Sequence, residues 1–306
     1  MFVAPMYRPP MPVASITAST VTANGVDFGL LETGTGPLAL CLHGFPDTAQ
    51  TWRHLLPRLA DAGFHAVAPF MRGYAPTSVP PDGRYQTAAL STDANALHDV
   101  LGGDSGAVII GHDWGAMATW GAAHAEPQRW SKVVGLAVPP GSAMSMAFVT
   151  NLEQVQRSWY MFFFQHFLAD LVVPANDFAF ISMLWEQWSP GYAAAGDVAL
   201  VRAALRDPAN LAAALGYYRA TLGNGYQDPE LATIQAGAGE MPSQPTLYLH
   251  GADDGCVGAE VAEAAKATAP ANVTVEIVAG AGHFLQLERP DFVNDRIIGF
   301  LTSPPG

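Results

Sequence analysis

The sequence predicts an α/β fold: a mostly parallel central sheet flanked by helices, with a helical cap inserted into it. Three observations predict it. Short apolar runs alternate with helical periodicity over residues 1–139. The alternation stops over residues 140–239, where the text is helical, aromatic and without a clear strand. It then resumes over residues 240–306. The expected organisation is a first core half, a cap, and a second core half with those bounds.

The elements follow in order. Residues 16–22 and 26–32 read as two strands around Asn24-Gly25, a strong hairpin-turn pair. Residues 38–42 form a short apolar strand that runs into His43-Gly-Phe-Pro46. Residues 51–62 carry helical periodicity (Trp52, Leu55, Leu56, Leu59) and stop before Gly63. Residues 65–68 are the next strand and 88–101 a helix. A strand over 107–110 enters Gly111, a helix covers 116–124, and a strand covers 133–138. After the aromatic segment come a strand at 246–250, a helix at 260–269, a strand at 273–278 and a closing helix at 290–301.

Composition sets the outer limits. A chain of 306 residues suits one large domain or a domain with an insert. At 50% hydrophobic and 13% charged residues it is no disordered chain. Fourteen Lys and Arg against 27 Asp and Glu give a net charge of −13. An acidic surface repels phosphate backbones, so nucleic acid is excluded as a partner. Two cysteines make no disulfide framework and suit a reducing, cytoplasmic setting. The N-terminal MFVAPMYRPPMPVAS lacks a continuous apolar core and reads as a surface arm rather than a signal peptide. The most apolar stretch, residues 159–173, is broken by Gln165, His166 and Asp170, so no membrane span is expected.

The chemistry sits in Val108-Ile-Ile-Gly-His-Asp-Trp-Gly-Ala-Met117. Here a strand ends and a helix begins, with Gly111 and Gly115 two residues to either side of Asp113. A sharp strand-to-helix turn lifts its middle side chain above the sheet and tolerates only small neighbours. Asp113 is therefore a candidate nucleophile; as an alternative it merely caps the helix. The order nucleophile, acid, histidine is completed downstream. Gly251-Ala-Asp-Asp254 follows one strand and Ala279-Gly-Ala-Gly-His283 another, both where ligands bind in open α/β sheets. Asp254 is favoured as the acid, three residues past Gly251, with Asp253 as its rival. The backbone N–H groups of Phe45 and Trp114 would form an oxyanion hole beside Asp113. The cap aromatics form its own core, and some line a pocket. Trp159 and Phe164, with His43 and Phe284 from the loops, are the candidates for that lining. No Cys/His cluster has metal-ligand spacing and no G-x-G-x-x-G or P-loop occurs, so no metal or organic cofactor is expected.

HGFP, the G-H-D-W-G elbow, Arg72-Gly-Tyr-Ala-Pro-Thr-Ser78 and G-H-F-x-x-x-E-x-P from Gly282 to Pro290 together resemble the α/β-hydrolase-fold epoxide hydrolases. The resemblance covers nearly the whole chain from about Val13. It implies two cap tyrosines, one in a Y-x-x-x-F-Q segment and one just before Arg. Tyr160-Met-Phe-Phe-Phe-Gln165 and Tyr217-Tyr218-Arg219 match, which carries over Tyr160 and Tyr218. It also implies a small-molecule epoxide as substrate and a monomer or homodimer. Haloalkane dehalogenases share the elbow, but usually have Asn where Phe45 stands. Fluoroacetate enzymes share HGFP, but place Arg near the elbow, where this chain has Trp114, Gly115, Ala116 and Met117. A non-catalytic small-molecule receptor on the same fold is the third alternative.

Overall fold

The computed structural model describes residues 15–304, so nearly all of the N-terminal arm lies outside the described residues. Eight strands form one sheet in the order β1-β2-β4-β3-β5-β6-β7-β8. They are β1 (Thr17–Ala23), β2 (Val26–Thr33), β3 (Leu38–Leu42), β4 (His65–Pro69), β5 (Val108–His112), β6 (Lys132–Leu136), β7 (Thr246–Gly251) and β8 (Val273–Val278). The β1–β2 and β2–β4 pairs are antiparallel and every other pair is parallel. The hairpin turns at Asn24 and Gly25, both with positive φ, the geometry whose twist matches that of the flanking strands.

The central strands β3, β5 and β6 are buried along their whole length, because helices cover both faces. Successive side chains divide between two cores. Leu40, Leu42 and Ile109 pack on one face, while Ala39, Cys41, Val108 and Ile110 pack on the other. Outside the connection from β6 to β7 the helices are α1 (Leu55–Asp61), α2 (Thr87–Val100), α3 (Trp114–Ala125) and, towards the C-terminus, α12 (Ala259–Ala267), α13 (Leu285–Glu288) and α14 (Pro290–Thr302). Between β6 and β7 run α4 (Gly141–Thr150), α5 (Leu152–Arg157), α6 (Trp159–Phe163), α7 (Leu168–Val172), α8 (Ala175–Trp188), α9 (Ala195–Leu205), α10 (Pro208–Leu222) and α11 (Ala232–Gly237). None of the described helices is long and apolar enough to cross a membrane.

Two elements differ from the sequence reading for physical reasons. The helix expected over residues 51–62 is split into a 3-10 turn, Ala49–Trp52, and α1. Pro57 has no N–H to continue a ladder from Arg53, so it can sit only in the first turn of a new helix. The strand expected over 107–110 runs on through Gly111 to His112, which pair with Gly135 and Leu136 of β6. That extension delivers Asp113 to the C-terminal edge of the sheet.

Candidate active site

Asp113 stands at a strained turn. Its φ of 54° and ψ of −118° are unusual for a residue with a Cβ. A Cβ on Gly111 would strike the Gly115 carbonyl, and one on Gly115 would strike the Leu42 carbonyl. Both glycines are therefore required by close backbone approach. The surrounding ladder holds the strain in place: Asp113 N–H donates to Leu136 O at 3.2 Å, and Asp113 O accepts from Ala116 and Met117. The side chain does not cap α3. Its Oδ1 instead accepts the Phe45 N–H at 2.7 Å. Trp114 follows at the first position of α3, where backbone N–H groups have no partner inside the helix.

His283 lies beyond β8 and is fully buried. Its Nδ1 is 2.9 Å from Asp254 Oδ2, and its Nε2 is 3.6 Å from Asp113 Oδ2, too far for a hydrogen bond. Asp254 Oδ1 accepts from the N–H groups of Cys256 (2.7 Å) and Val257 (3.0 Å). Asp254, the favoured acid, is thus the one that meets the histidine, and its rival Asp253 is exposed. Burial disfavours the His283 imidazolium, but the charge of Asp254 and the nearby Asp113 outweigh it, pushing the pKa from 6.5 up to about 10. The bond to Asp254 requires the proton on Nδ1.

The histidine loop is tied down by groups the sequence reading passed over. Glu288 accepts from the Gly282 N–H (2.8 Å) and the Ser189 hydroxyl (2.6 Å), and Ser189 Oγ accepts from the Phe284 N–H. The signal was present in the motif running from Gly282 to Pro290, whose acidic position is Glu288. His283 N–H donates to Trp188 O at the end of α8, and His112 Nε2 bonds the His283 carbonyl.

Two phenols from α6 and α10 lie side by side, and Tyr218 lines the cavity beside Asp113. The Tyr160 and Tyr218 rings lie 5.7 Å apart, edge to face, and both are buried. Among the described residues Tyr218 Oη has no hydrogen-bond partner, whereas Tyr160 Oη is 3.3 Å from Cys256 Sγ. Burial, the largest cause, pushes both pKa values well above 10, so both remain protonated donors. Tyr217 points the other way and donates to the Arg72 carbonyl at 2.7 Å.

Asp113, Trp114, Tyr218 and Cys256 line an apolar cavity of about 70 Å³ with Val138, Val257 and Met144. Phe148, Met161, Thr221 and Leu222 form its more accessible rim. The four residues expected as lining take other roles. Trp159 is 38% exposed and borders a separate surface pocket with Arg157 and Gln187, because at 100° per residue it points away from the face of α6 that carries Tyr160. His43 is consumed by the backbone: Nδ1 bonds Gly44 O and Nε2 accepts from Met71 N–H. Phe164 packs edge-on behind Phe45 and Tyr218. Phe284 stacks on Trp185 at 3.5 Å. The methionines of the cavity carry no sequence signal, since side-chain direction in these helices follows from tertiary packing.

Asp254, Cys256 and His283 bring one carboxylate oxygen, one sulfur and one imidazole nitrogen within 4.8 Å of one another. A metal ion could use that set only by breaking the Asp254–His283 bond.

The family described as the alpha/beta hydrolase fold matches residues 37–290. Over 313 aligned residues the chain is 30% identical to an epoxide hydrolase of Caballeronia sordidicola, covering 92% of this chain and 93% of that protein. It is also 30% identical to epoxide hydrolase A of Mycobacterium tuberculosis, covering 94% and 98%. A solved Bacillus megaterium epoxide hydrolase, crystallised with an inhibitor, superposes with a TM-score of 0.78 at 27% identity. That match covers 93% of this chain and all of the other.

Proposed function

The chain belongs to the alpha/beta hydrolase fold family and is one of its epoxide hydrolases, and from that premise we propose that it opens an epoxide to a vicinal diol through a covalent ester on Asp113. One observation carries the reading. A carboxylate on a strained elbow has one oxygen held by the Phe45 N–H and lines an apolar cavity beside a phenol that has no partner among the described residues. A carboxylate in that position attacks carbon, and a phenol there donates to the oxygen that carbon releases.

In the proposed sequence Asp113 Oδ2 forms the new C–O bond while the ring C–O bond breaks. Tyr218 and Tyr160 hydrogen-bond the ring oxygen, and a phenol gives it the proton. Esterification removes the Asp113 charge, which is one of the supports of the His283 imidazolium. His283 then yields its proton, restoring the phenol, and becomes a neutral base. Water loses a proton to His283 Nε2 and attacks the ester carbonyl, and the Phe45 and Trp114 N–H groups stabilise the oxyanion. Collapse breaks the bond from the Asp113 carbonyl carbon to the diol oxygen, which takes the proton of the newly formed Asp113 carboxylic acid. The diol leaves, and Asp113 is ionised and His283 protonated as at the start.

The apolar cavity beside Asp113 suits an uncharged epoxide. In this reading the epoxide ring sits beside Asp113, and an uncharged substituent extends towards Phe148, Met161 and Leu222 at the rim. A single turnover in heavy-oxygen water tests the route. Label entering the Asp113 carboxylate first supports it, and label passing straight into the diol refutes it.

A further inference from the structure

We propose that Cys256 is a positioning residue for Tyr160: its thiol holds that phenol at rest and leaves Tyr218 as the donor that meets the epoxide oxygen first. The inference rests on the ring-opening reading above and deepens it, because that reading treats the two phenols alike.

The two hydroxyls have different surroundings. Tyr160 Oη lies 3.3 Å from Cys256 Sγ, within hydrogen-bond reach for sulfur. Tyr218 Oη, equally buried, has no partner among the described residues and lies on the cavity wall with Asp113. Cys256 lines that same cavity. Its backbone is fixed on both sides: its N–H donates to Asp254 Oδ1 at 2.7 Å, and its carbonyl accepts from Gln154 Nε2 at 2.9 Å. The Cys256 backbone is therefore held by the same carboxylate that orients His283. Burial keeps the thiol neutral.

A neutral thiol is a weak hydrogen-bond partner. It is strong enough to select one rotamer of the phenol and weak enough to release it when an epoxide oxygen accepts. A hydroxyl at the same position would hold Tyr160 more tightly, and a methyl group would not hold it.

The test uses substitutions at position 256 in two backgrounds, reading single-turnover ester formation with styrene oxide by stopped-flow fluorescence. In the Tyr218→Phe background ring opening depends on Tyr160 alone. There Cys256→Ala should speed ester formation and Cys256→Ser should slow it, each by roughly two- to tenfold, the range of one net hydrogen bond. In the Tyr160→Phe background the same substitutions should leave the rate within about twofold. Equal effects in both backgrounds would mean that position 256 acts only through cavity shape, and would overturn the proposal. So would Tyr160→Phe costing as much as Tyr218→Phe when Cys256 is intact.

A second measurement needs no turnover. The chain has two thiols, and Cys41 is buried in the opposite core, 3.9 Å from the Ala39 carbonyl. Infrared S–H stretching should show the Cys256 band moving in Tyr160→Phe and not in Tyr218→Phe, with Cys41 as internal reference. A Cys256 band indifferent to Tyr160→Phe would end the proposal. Because the infrared result does not depend on turnover, its failure is distinguishable from failure of the covalent route, which the heavy-oxygen experiment reports.

Discussion

Two regions meet at the cavity and are held there by different forces. On the sheet side, Asp113, Asp254 and His283 sit on loops past β5, β7 and β8 and are fixed by directional bonds. These include Phe45 N–H to Asp113, two backbone N–H groups plus the imidazole to Asp254, and Trp188 O and Glu288 behind the histidine loop. On the helical side, Tyr160 and Tyr218 are held mainly by ring packing. Tyr218 meets Trp114, Phe164 and Phe45 at 4.9, 5.0 and 5.2 Å, and Tyr160 meets Trp188 at 4.8 Å. The segment around them exposes Val149, Leu152, Phe162, Phe167 and Leu171. Groups whose charge changes during a reaction gain most from fixed dipoles, since these need no reorganisation at the moment of reaction. Groups that only present a proton need the right neighbourhood, which packing supplies without fixing the Tyr218 hydroxyl.

The largest effect should come from breaking the sheet side at its centre. Asp113→Asn keeps the side-chain shape and the approach of Phe45 but removes the nucleophile. Turnover should fall by at least about 10⁴-fold, and intact-mass analysis should find no adduct. A loss no larger than that of Tyr218→Phe would erase the distinction between the two regions.

His283→Gln should separate the steps. Ester formation persists, hydrolysis drops by roughly 10²–10⁴-fold, and the covalent adduct accumulates by mass. The same residue couples the site to stability. Its pKa is near 6.5 when unfolded and about 10 when folded. Below 6.5 both states carry the proton, and the attraction to Asp254 and Asp113 is fully present. As the pH rises from 6.5 to 10 the unfolded chain loses its proton first, so this contribution declines and is gone above 10. Urea midpoints of the native chain and His283→Gln should therefore converge over that window. A constant gap would show that the histidine is not held as an imidazolium.

The contrast between the regions also explains what the sequence disclosed. The elbow was legible because steric rules leave few residues for it: Gly111 and Gly115 flank Asp113 where any Cβ would meet a carbonyl. His283 and Asp254 were legible because strand exits are marked by glycines and acids at short range. The helical side obeys no such local rule. Residues 159–164 are almost uninterrupted aromatic and apolar text, so no period says which face is inward. Trp159 looked like lining and is exposed, while Tyr160 beside it is buried, and only the family motif separated them. Cys256 acts through a tertiary contact to Tyr160, which spacing along the chain does not encode.

The smallest effect on rate sharpens the comparison most, because it sets two adjacent tyrosines against each other. Tyr217 and Tyr218 are successive residues of α10 and point about 100° apart. Tyr217 belongs to the framework: its hydroxyl serves the carbonyl of Arg72, whose buried guanidinium makes paired 2.6 Å bonds to Asp93. Tyr217→Phe leaves that carbonyl short of a donor and should cost about 1–3 kcal/mol of unfolding free energy, read from urea titration. Ester formation should stay within about twofold. Tyr218→Phe removes a hydroxyl that has no partner among the described residues, so stability should hold while ester formation falls by roughly 10²-fold or more. The same atom deleted at neighbouring positions then lowers stability in one case and rate in the other. If instead Tyr217→Phe slows ring opening as much as Tyr218→Phe does, the proton donor has been placed one residue too late in the helix, and the hydroxyl now bonded to Arg72 must turn towards the cavity when substrate binds.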